Sequence, residues 1–109
     1  MQQTRRGAPL IHTLSRMKHA SLATLQQLEP LLVRIRGLAG LNERKPGTFY
    51  RRSSAFLHFH EDAAGIFADV KLNGVEFERL PVSSAQQRAA FWRVLASACK
   101  ASQSRSHAT

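Results

Sequence analysis

Apolar residues near the N-terminus recur with a helical period. From Leu22 to Ile35 they are spaced three and four residues apart, which predicts an amphipathic helix with Ser21 as its N-cap. Pro30 interrupts this pattern. Two arrangements stay open, because the helix either kinks at the proline or ends near Leu28 before a second helix begins with Pro30 in its first turn.

A second helical pattern lies near the C-terminus. Ser83 and Ser84 each precede a glutamine by three residues, which is the spacing of a capping box at the start of a helix. The predicted helix runs to about Lys100. Its apolar stripe consists of Phe91, Val94, Leu95 and Ala98.

Between the two helical regions, side chains alternate with the period of a β-strand. Breakers divide this part of the chain into predicted strands at 48–50, 55–60, 66–72 and 75–80. The segment Asn42–Gly47 is predicted as a loop, 61–65 as a five-residue hairpin loop, and Asn73-Gly74 as a type I′ turn. The sequence therefore predicts an α+β fold with an N-terminal helix, a four-stranded antiparallel meander and a C-terminal helix.

The predicted turns set a register and divide the strands between two faces. Pairing His60 with Ile66, and Val70 with Phe77, gives the face that we expect to lie against both helices. That face carries Phe56, His58, His60, Ile66, Ala68, Val70, Leu72, Val75 and Phe77. The opposite face carries Asp69, Lys71, Glu76 and Glu78, together with the apolar Leu57, Phe59, Phe67 and Leu80. Such an apolar patch is either covered by a tail or marks a partner surface. Because the tails are polar, these last four residues are the predicted interface with a partner protein or a second copy of the sheet.

The central segments AFLHFHED (55–62) and GIFADVK (65–71) resemble a small family of uncharacterised bacterial proteins. The resemblance covers the central part of the chain. It implies no activity and transfers no site residues, so the candidate sites are argued from the residues themselves.

Length and composition limit the class of protein. A chain of 109 residues with 43% hydrophobic residues predicts one domain, at 20–101, between polar tails at 1–19 and 102–109. No apolar run is long enough to span a bilayer, no secretory segment is seen, and Cys99 is the only cysteine. We therefore expect a cytoplasmic protein without an internal disulfide. The arginine-rich, acid-free residues 1–19 also resemble an organelle transit peptide, which is the alternative location.

The net charge of +9 lies outside the central strands, because residues 55–82 carry five acids and two bases. Such basicity favours binding to phosphate backbones, and an aromatic ring beside it can stack on bases. The predicted nucleic-acid contacts are Arg44, Lys45, Tyr50, Arg51 and Arg52. No nucleic-acid-binding motif accompanies them, so ordinary solvated loop charge is the alternative.

His58 and His60 form the candidate metal site. Residues two apart in a strand share a face, so both imidazoles can bind one transition metal. In the predicted register their cross-strand neighbours are Ala68 and Ile66, which cannot ligate a metal, and Asp62 in the following loop is the candidate third ligand. The alternative is a pair of part-buried structural histidines. In that case no cofactor is expected. A divalent transition metal is the one cofactor that the sequence leaves open.

The sequence contains no nucleophile elbow, P-loop or dinucleotide-binding motif. It therefore favours a non-enzymatic module that binds a protein partner or a second copy of itself, and no membrane partner is expected. A nucleic-acid-binding module and a metal-binding protein or metalloenzyme are the alternatives.

Overall fold

The computed structural model describes residues 18–108, and side chains within 18–101, of an α+β protein with an antiparallel sheet and a C-terminal helix. The predicted tails therefore fall largely outside the described part of the chain, because residues 1–17 and the side chains of 102–109 are not described. In chain order the elements are β1 (Lys18–His19), α1 (Leu22–Gln27), α2 (Glu29–Arg36), β2 (Leu41–Lys45), β3 (Thr48–Arg51), β4 (Ser54–Asp62), β5 (Gly65–Val70), β6 (Glu78–Pro81) and α3 (Ala85–Ala108). None of the helices among the described residues combines the length and the hydrophobicity of a membrane span.

The sheet has six strands, where four were predicted. Strands β2 to β6 are hydrogen-bonded in chain order, and β1 pairs with β4 beyond the part of β4 that pairs with β3. The two additional strands are β1, which lies in the predicted tail 1–19, and β2, which occupies most of the predicted loop 42–47 and forms a hairpin with β3. Strand β2 was not predicted because its sequence, LNERK, does not alternate between apolar and polar residues. An edge strand whose side chains are mostly exposed does not need that alternation.

The N-terminal helical region consists of two helices, which is the second of the two predicted arrangements. The Ser21 hydroxyl accepts a hydrogen bond from the Thr24 backbone N–H at 3.2 Å, which caps α1. That helix ends at Gln27, and α2 begins at Glu29 with Pro30 in its first turn. Proline is tolerated there because the first N–H groups of a helix have no intrahelical partner.

The capping box of α3 is formed by Ser84 and Gln87. The Ser84 hydroxyl accepts from the Gln87 N–H at 3.0 Å, and the Gln87 side-chain oxygen accepts from the Ser84 N–H at 3.1 Å. Ser83 instead links the helix start to the sheet, since its hydroxyl accepts from the Ile66 N–H at 2.8 Å. The helix continues to Ala108, past the predicted end near Lys100.

The hairpin of β4 and β5 differs from the predicted register by one residue. His58 pairs with Asp69 and His60 pairs with Phe67, and only two residues, 63–64, separate the strands. Because side chains alternate along a strand, this shift exchanges the two faces of β4 relative to β5. The predicted faces are therefore wrong for His58 and His60, which were expected against the helices, and for Leu57 and Phe59, which were expected on the opposite side. Phe56, Ala68 and Val70 are buried, as predicted.

The buried face of the sheet carries Leu57, Phe59, Ala68 and Val70, each with no exposed surface. Helix residues complete one core with them. They include Leu28, Leu32, Ile35, Phe91 and Leu95. The interface predicted at Leu57, Phe59, Phe67 and Leu80 is not one surface, because the first two lie inside this core, Leu80 packs against it, and Phe67 faces the other way.

The turn predicted at Asn73-Gly74 is part of a wider loop. The Asn73 side-chain oxygen accepts from the N–H groups of Val75 and Glu76, at 2.8 and 3.0 Å. This side-chain bonding replaces the ladder expected for a type I′ hairpin, so β6 begins only at Glu78. Phe77, predicted for the core, is consequently 44% exposed.

Candidate functional site

The face of the sheet that points away from the helices, here called the open face, gathers the polar side chains of three strands. His58 and His60 come from β4, Asp69 from β5 and Arg79 from β6. The pairing of His58 with Asp69, and of Asp69 with Arg79, places them side by side. Asp69 is buried, and both histidines are half-buried.

Three of these residues form a compact group, here called the His–His–Asp cluster: His58, His60 and Asp69. Nδ1 of His58 lies 3.0 Å from Nε2 of His60, and Nδ1 of His60 lies 3.1 Å from Oδ2 of Asp69. One potential ligand atom from each residue lies within 4.8 Å of the other two. His60 therefore stands between the other two residues and contacts each with a different ring nitrogen.

Nδ1 of His60 is buried without a hydrogen bond from the described part of the chain. Its 3.1 Å contact with Asp69 has the distance of an ion pair but not the angles of a hydrogen bond. A buried polar atom in this condition is costly, and an ion is one of the partners that satisfy such atoms.

Arg79 holds the carboxylate of Asp69 with two parallel bonds. Its Nε lies 2.8 Å from Oδ1, and its Nη2 lies 2.9 Å from Oδ2. Burial favours a raised pKa for Asp69, but the hydrogen bonds and charge of Arg79, together with the charges of His60 and His58, lower the pKa overall. Asp69 is therefore ionised at neutral pH and keeps lone pairs for a further partner.

The environment of His58 favours the neutral imidazole. Burial lowers its pKa, the charge of His60 lowers it further, and Asp69 acts in the opposite direction. The ring also has an edge contact with Phe77, with centroids 4.9 Å apart. A neutral imidazole offers a nitrogen lone pair, which is the form that binds metals.

A third histidine, His19, lies next to the cluster. It is directly opposite His60 in the pairing of β1 with β4, and the two ring centroids are 6.1 Å apart. Burial, then the charges of Lys45 and His60, lower the pKa of His19. The sequence prediction placed this residue in the tail 1–19, since no short-range spacing reveals a pairing across so much intervening chain.

Asp62, the predicted third ligand, is not part of the cluster. Its Oδ1 accepts from the Ala64 N–H at 2.7 Å and so stabilises the turn between β4 and β5. Asp69 stands beside the histidines instead. The sequence prediction missed it because the assumed register put Asp69 on the opposite face.

The predicted nucleic-acid contacts divide between two surroundings. The Arg44 guanidinium lies 4.1 Å from the Tyr50 ring centre and covers one face of the ring that a base would need. Arg51 lies over Phe56 at 4.2 Å and reaches the sulfur of buried Cys99 at 3.3 Å. Consecutive strand residues point to opposite faces, so Tyr50 and Arg51 do not form one stacking surface. Lys45 and Arg52 are exposed at the two ends of the β2–β3 hairpin.

The cluster and its neighbours thus come from four strands that lie side by side, and their placement depends on the observed register of β1, β4, β5 and β6. A functional assignment has to be built on these contacts. Comparison of the chain with protein-family models, with curated proteins and with solved structures found no match.

Proposed function

We propose that this protein binds a divalent transition-metal ion through His58, His60 and Asp69. The observation that carries the proposal is the proximity of one ligand atom from each residue, all within 4.8 Å, on a face that the helices do not cover. Two imidazoles and a carboxylate are a ligand set that suits zinc and its neighbours in the first transition series.

The distances within the cluster are near those that a metal requires. Ligand atoms about 2.0–2.1 Å from a tetrahedral zinc ion lie about 3.3 Å from one another. The contacts of 3.0 Å and 3.1 Å are close to this value, but they use different nitrogens of His60. Separations of up to 4.8 Å therefore have to shorten when an ion binds, which requires the imidazole rings to turn one nitrogen of each histidine toward the carboxylate of Asp69.

The protonation states also favour a cation. The lowered pKa values of His58 and Asp69 mean that neither residue has to lose a proton at neutral pH before it ligates. Arg79 has two opposing effects on the affinity for a metal ion. It orients the carboxylate of Asp69, but it also places a positive charge beside the ion. We therefore expect weaker binding than at a site whose carboxylate has no such partner.

Three protein ligands leave at least one coordination position free for water or for a small molecule. Self-association through Leu57 and Phe59 has lost its main support, because both side chains lie within the chain's own core. Metal binding therefore replaces a protein-interaction module as the leading proposal. Location in the cytoplasm stays a prediction.

The direct test is isothermal titration of the metal-free protein with Zn²⁺. We expect saturable one-to-one binding that is lost in His58→Ala and in His60→Ala. His19→Ala is the matched control, because it removes an imidazole from the same face but not from the cluster, and it should keep the one-to-one stoichiometry. Absence of saturable binding to the wild-type protein, or unchanged binding in His58→Ala, would refute the proposal.

A further inference from the structure

A second polar site lies at the start of β4, separate from the His–His–Asp cluster. It is a pocket of about 250 Å³ between the β3–β4 turn and the loop that follows β5. Arg51, Arg52 and Lys71 bring three positive charges to its lining, together with Ser54 and Gly74. No acidic side chain of the described residues lines this pocket.

The positive charge of this pocket is not compensated. Across residues 18–101, Arg36 forms ion pairs with Glu29 and Glu43, and Arg79 forms one with Asp69. Arg51, Arg52 and Lys71 form none with any carboxylate in that range. Three cations around one concave surface repel each other, and an anion relieves that repulsion.

Contacts with uncharged groups hold two of these cations in place. The Arg51 guanidinium lies against the Phe56 ring at 4.2 Å and uses one Nη for Cys99. Since arginine has five N–H donors, others remain for a ligand. Nζ of Lys71 donates to the Ser54 hydroxyl at 3.3 Å, which brings a hydroxyl and an ammonium together in the lining.

The backbone at this pocket has an uncommon conformation. Arg52 has a φ of +58°, and it is the one described non-glycine residue with positive φ. Left-handed backbone at a residue other than Gly, Asn or Asp carries strain, and such strain concentrates at binding sites. Here the strained residue is an arginine in the lining of a basic pocket, where glycine or asparagine would adopt the backbone conformation more easily.

We propose that this pocket binds a phosphoryl group. Guanidinium forks, an ammonium and a hydroxyl are the donors that recognise phosphate oxygens. The group belongs either to a small phosphate ester or to the backbone of a nucleic acid, since both present the same anionic oxygens. Metal binding at His58 and His60 does not enter this inference.

The test combines two probes with charge-removing variants. Binding of inorganic phosphate is measured by titration calorimetry, and binding of a short single-stranded oligothymidylate by fluorescence anisotropy, both at physiological ionic strength. The variants are Lys71→Gln and Arg52→Asn, because asparagine removes the charge while tolerating positive φ. Arg93→Gln is the matched control, because it also removes one positive charge, from an exposed arginine on α3 that does not line the pocket.

We expect Lys71→Gln and Arg52→Asn each to weaken binding about tenfold, as loss of one charge-assisted bond implies, while Arg93→Gln leaves it unchanged. If phosphate shows this pattern and the oligonucleotide does not, the ligand is a small ester. If the oligonucleotide shows it, with a steep salt dependence, the ligand is a nucleic acid. If neither probe binds, or if Arg93→Gln weakens binding as much as Lys71→Gln, the inference is wrong.

Discussion

The two faces of the β4–β5 hairpin come from alternate residues of the same short strands, yet they have different physical roles. The buried face has Leu57, Phe59, Ala68 and Val70, which are fully enclosed and contribute to stability through apolar burial. The open face has His58, His60 and Asp69, with side chains linked by polar contacts of about 3 Å. The comparison teaches that hydrophobicity alone does not distinguish the faces, because Phe67 lies among the histidines.

The largest expected effect separates the two faces directly. Phe59→Ala should destabilise the protein by about 3–5 kcal/mol, the usual cost of a cavity at a fully buried phenylalanine. Phe67→Ala, on the open face, should cost less than half of that, because its site is partly exposed. Urea unfolding followed by circular dichroism measures both values. Equal losses, or a larger loss for Phe67→Ala, would contradict the assignment of faces.

The second prediction places metal-dependent stability on the open face alone. Zn²⁺ at a hundred times its dissociation constant should stabilise the wild-type protein by about 2.7 kcal/mol, because the ion binds only the folded state. His58→Ala should abolish this increment. Val70→Ala should lower the starting stability and keep the increment, since Val70 belongs to the buried face. Thermal unfolding with and without zinc distinguishes the two outcomes, and an increment that survives in His58→Ala counts against the cluster.

The third prediction concerns the ion pair that supports the cluster. Asp69→Asn should cost about 1–2 kcal/mol, because a nearly buried carboxylate loses its charge beside Arg79, whose side chain is 44% exposed and partly screened. Glu29→Gln removes an exposed carboxylate from Arg36 and should change stability very little. Chemical denaturation of both variants is the measurement. Similar values for the two variants would mean that the open face has no stronger polar network than the ordinary surface.

The smallest expected effect belongs to the core, at Cys99. Burial raises the pKa of its thiol above the ordinary value of 9.0, against the opposing influence of Arg51. Above pH 9.0 the unfolded chain therefore loses this proton before the folded protein does, so stability is retained below that pH and falls above it. Cys99→Ala should remove this part of the alkaline loss. Unfolding curves between neutral and alkaline pH test it, and identical pH slopes for variant and wild type would contradict the prediction.

Local sequence signals predicted the starts of the helices correctly. Ser21 caps α1, Ser84 and Gln87 form the capping box of α3, and Pro30 lies in the first turn of α2. Each signal acts over three or four residues, so the surrounding fold does not alter it. The alternation within β4 and β5 likewise predicted the strands.

The register could not be predicted, because the turn that sets it has no distinctive residues. Ala63 and Ala64 are not typical turn formers, whereas Gly65, which suggested a longer loop, is paired with Asp62. A Cβ atom at Gly65 would overlap the Ser83 hydroxyl. Glycine is thus required at this position both by Ser83, which precedes α3, and by its own backbone, since a φ of +139° is rarely adopted by residues with a side chain. Asp69 and His19 were missed for a related reason, since both reach the site through pairings that local patterns do not specify.

The strand order has a consequence for how the molecule assembles. From β2 to β6 every strand pairs with its neighbour in sequence, so each pairing closes only a short loop. The pairing of β1 with β4 joins Lys18 to Glu61 and must close a much longer one. Because loop closure is slower for distant contacts, we expect the meander to fold first and β1 to dock last. Strand β1 could then detach and return without unfolding the remaining sheet. Each time, His19 would leave its place beside the His–His–Asp cluster and return to it.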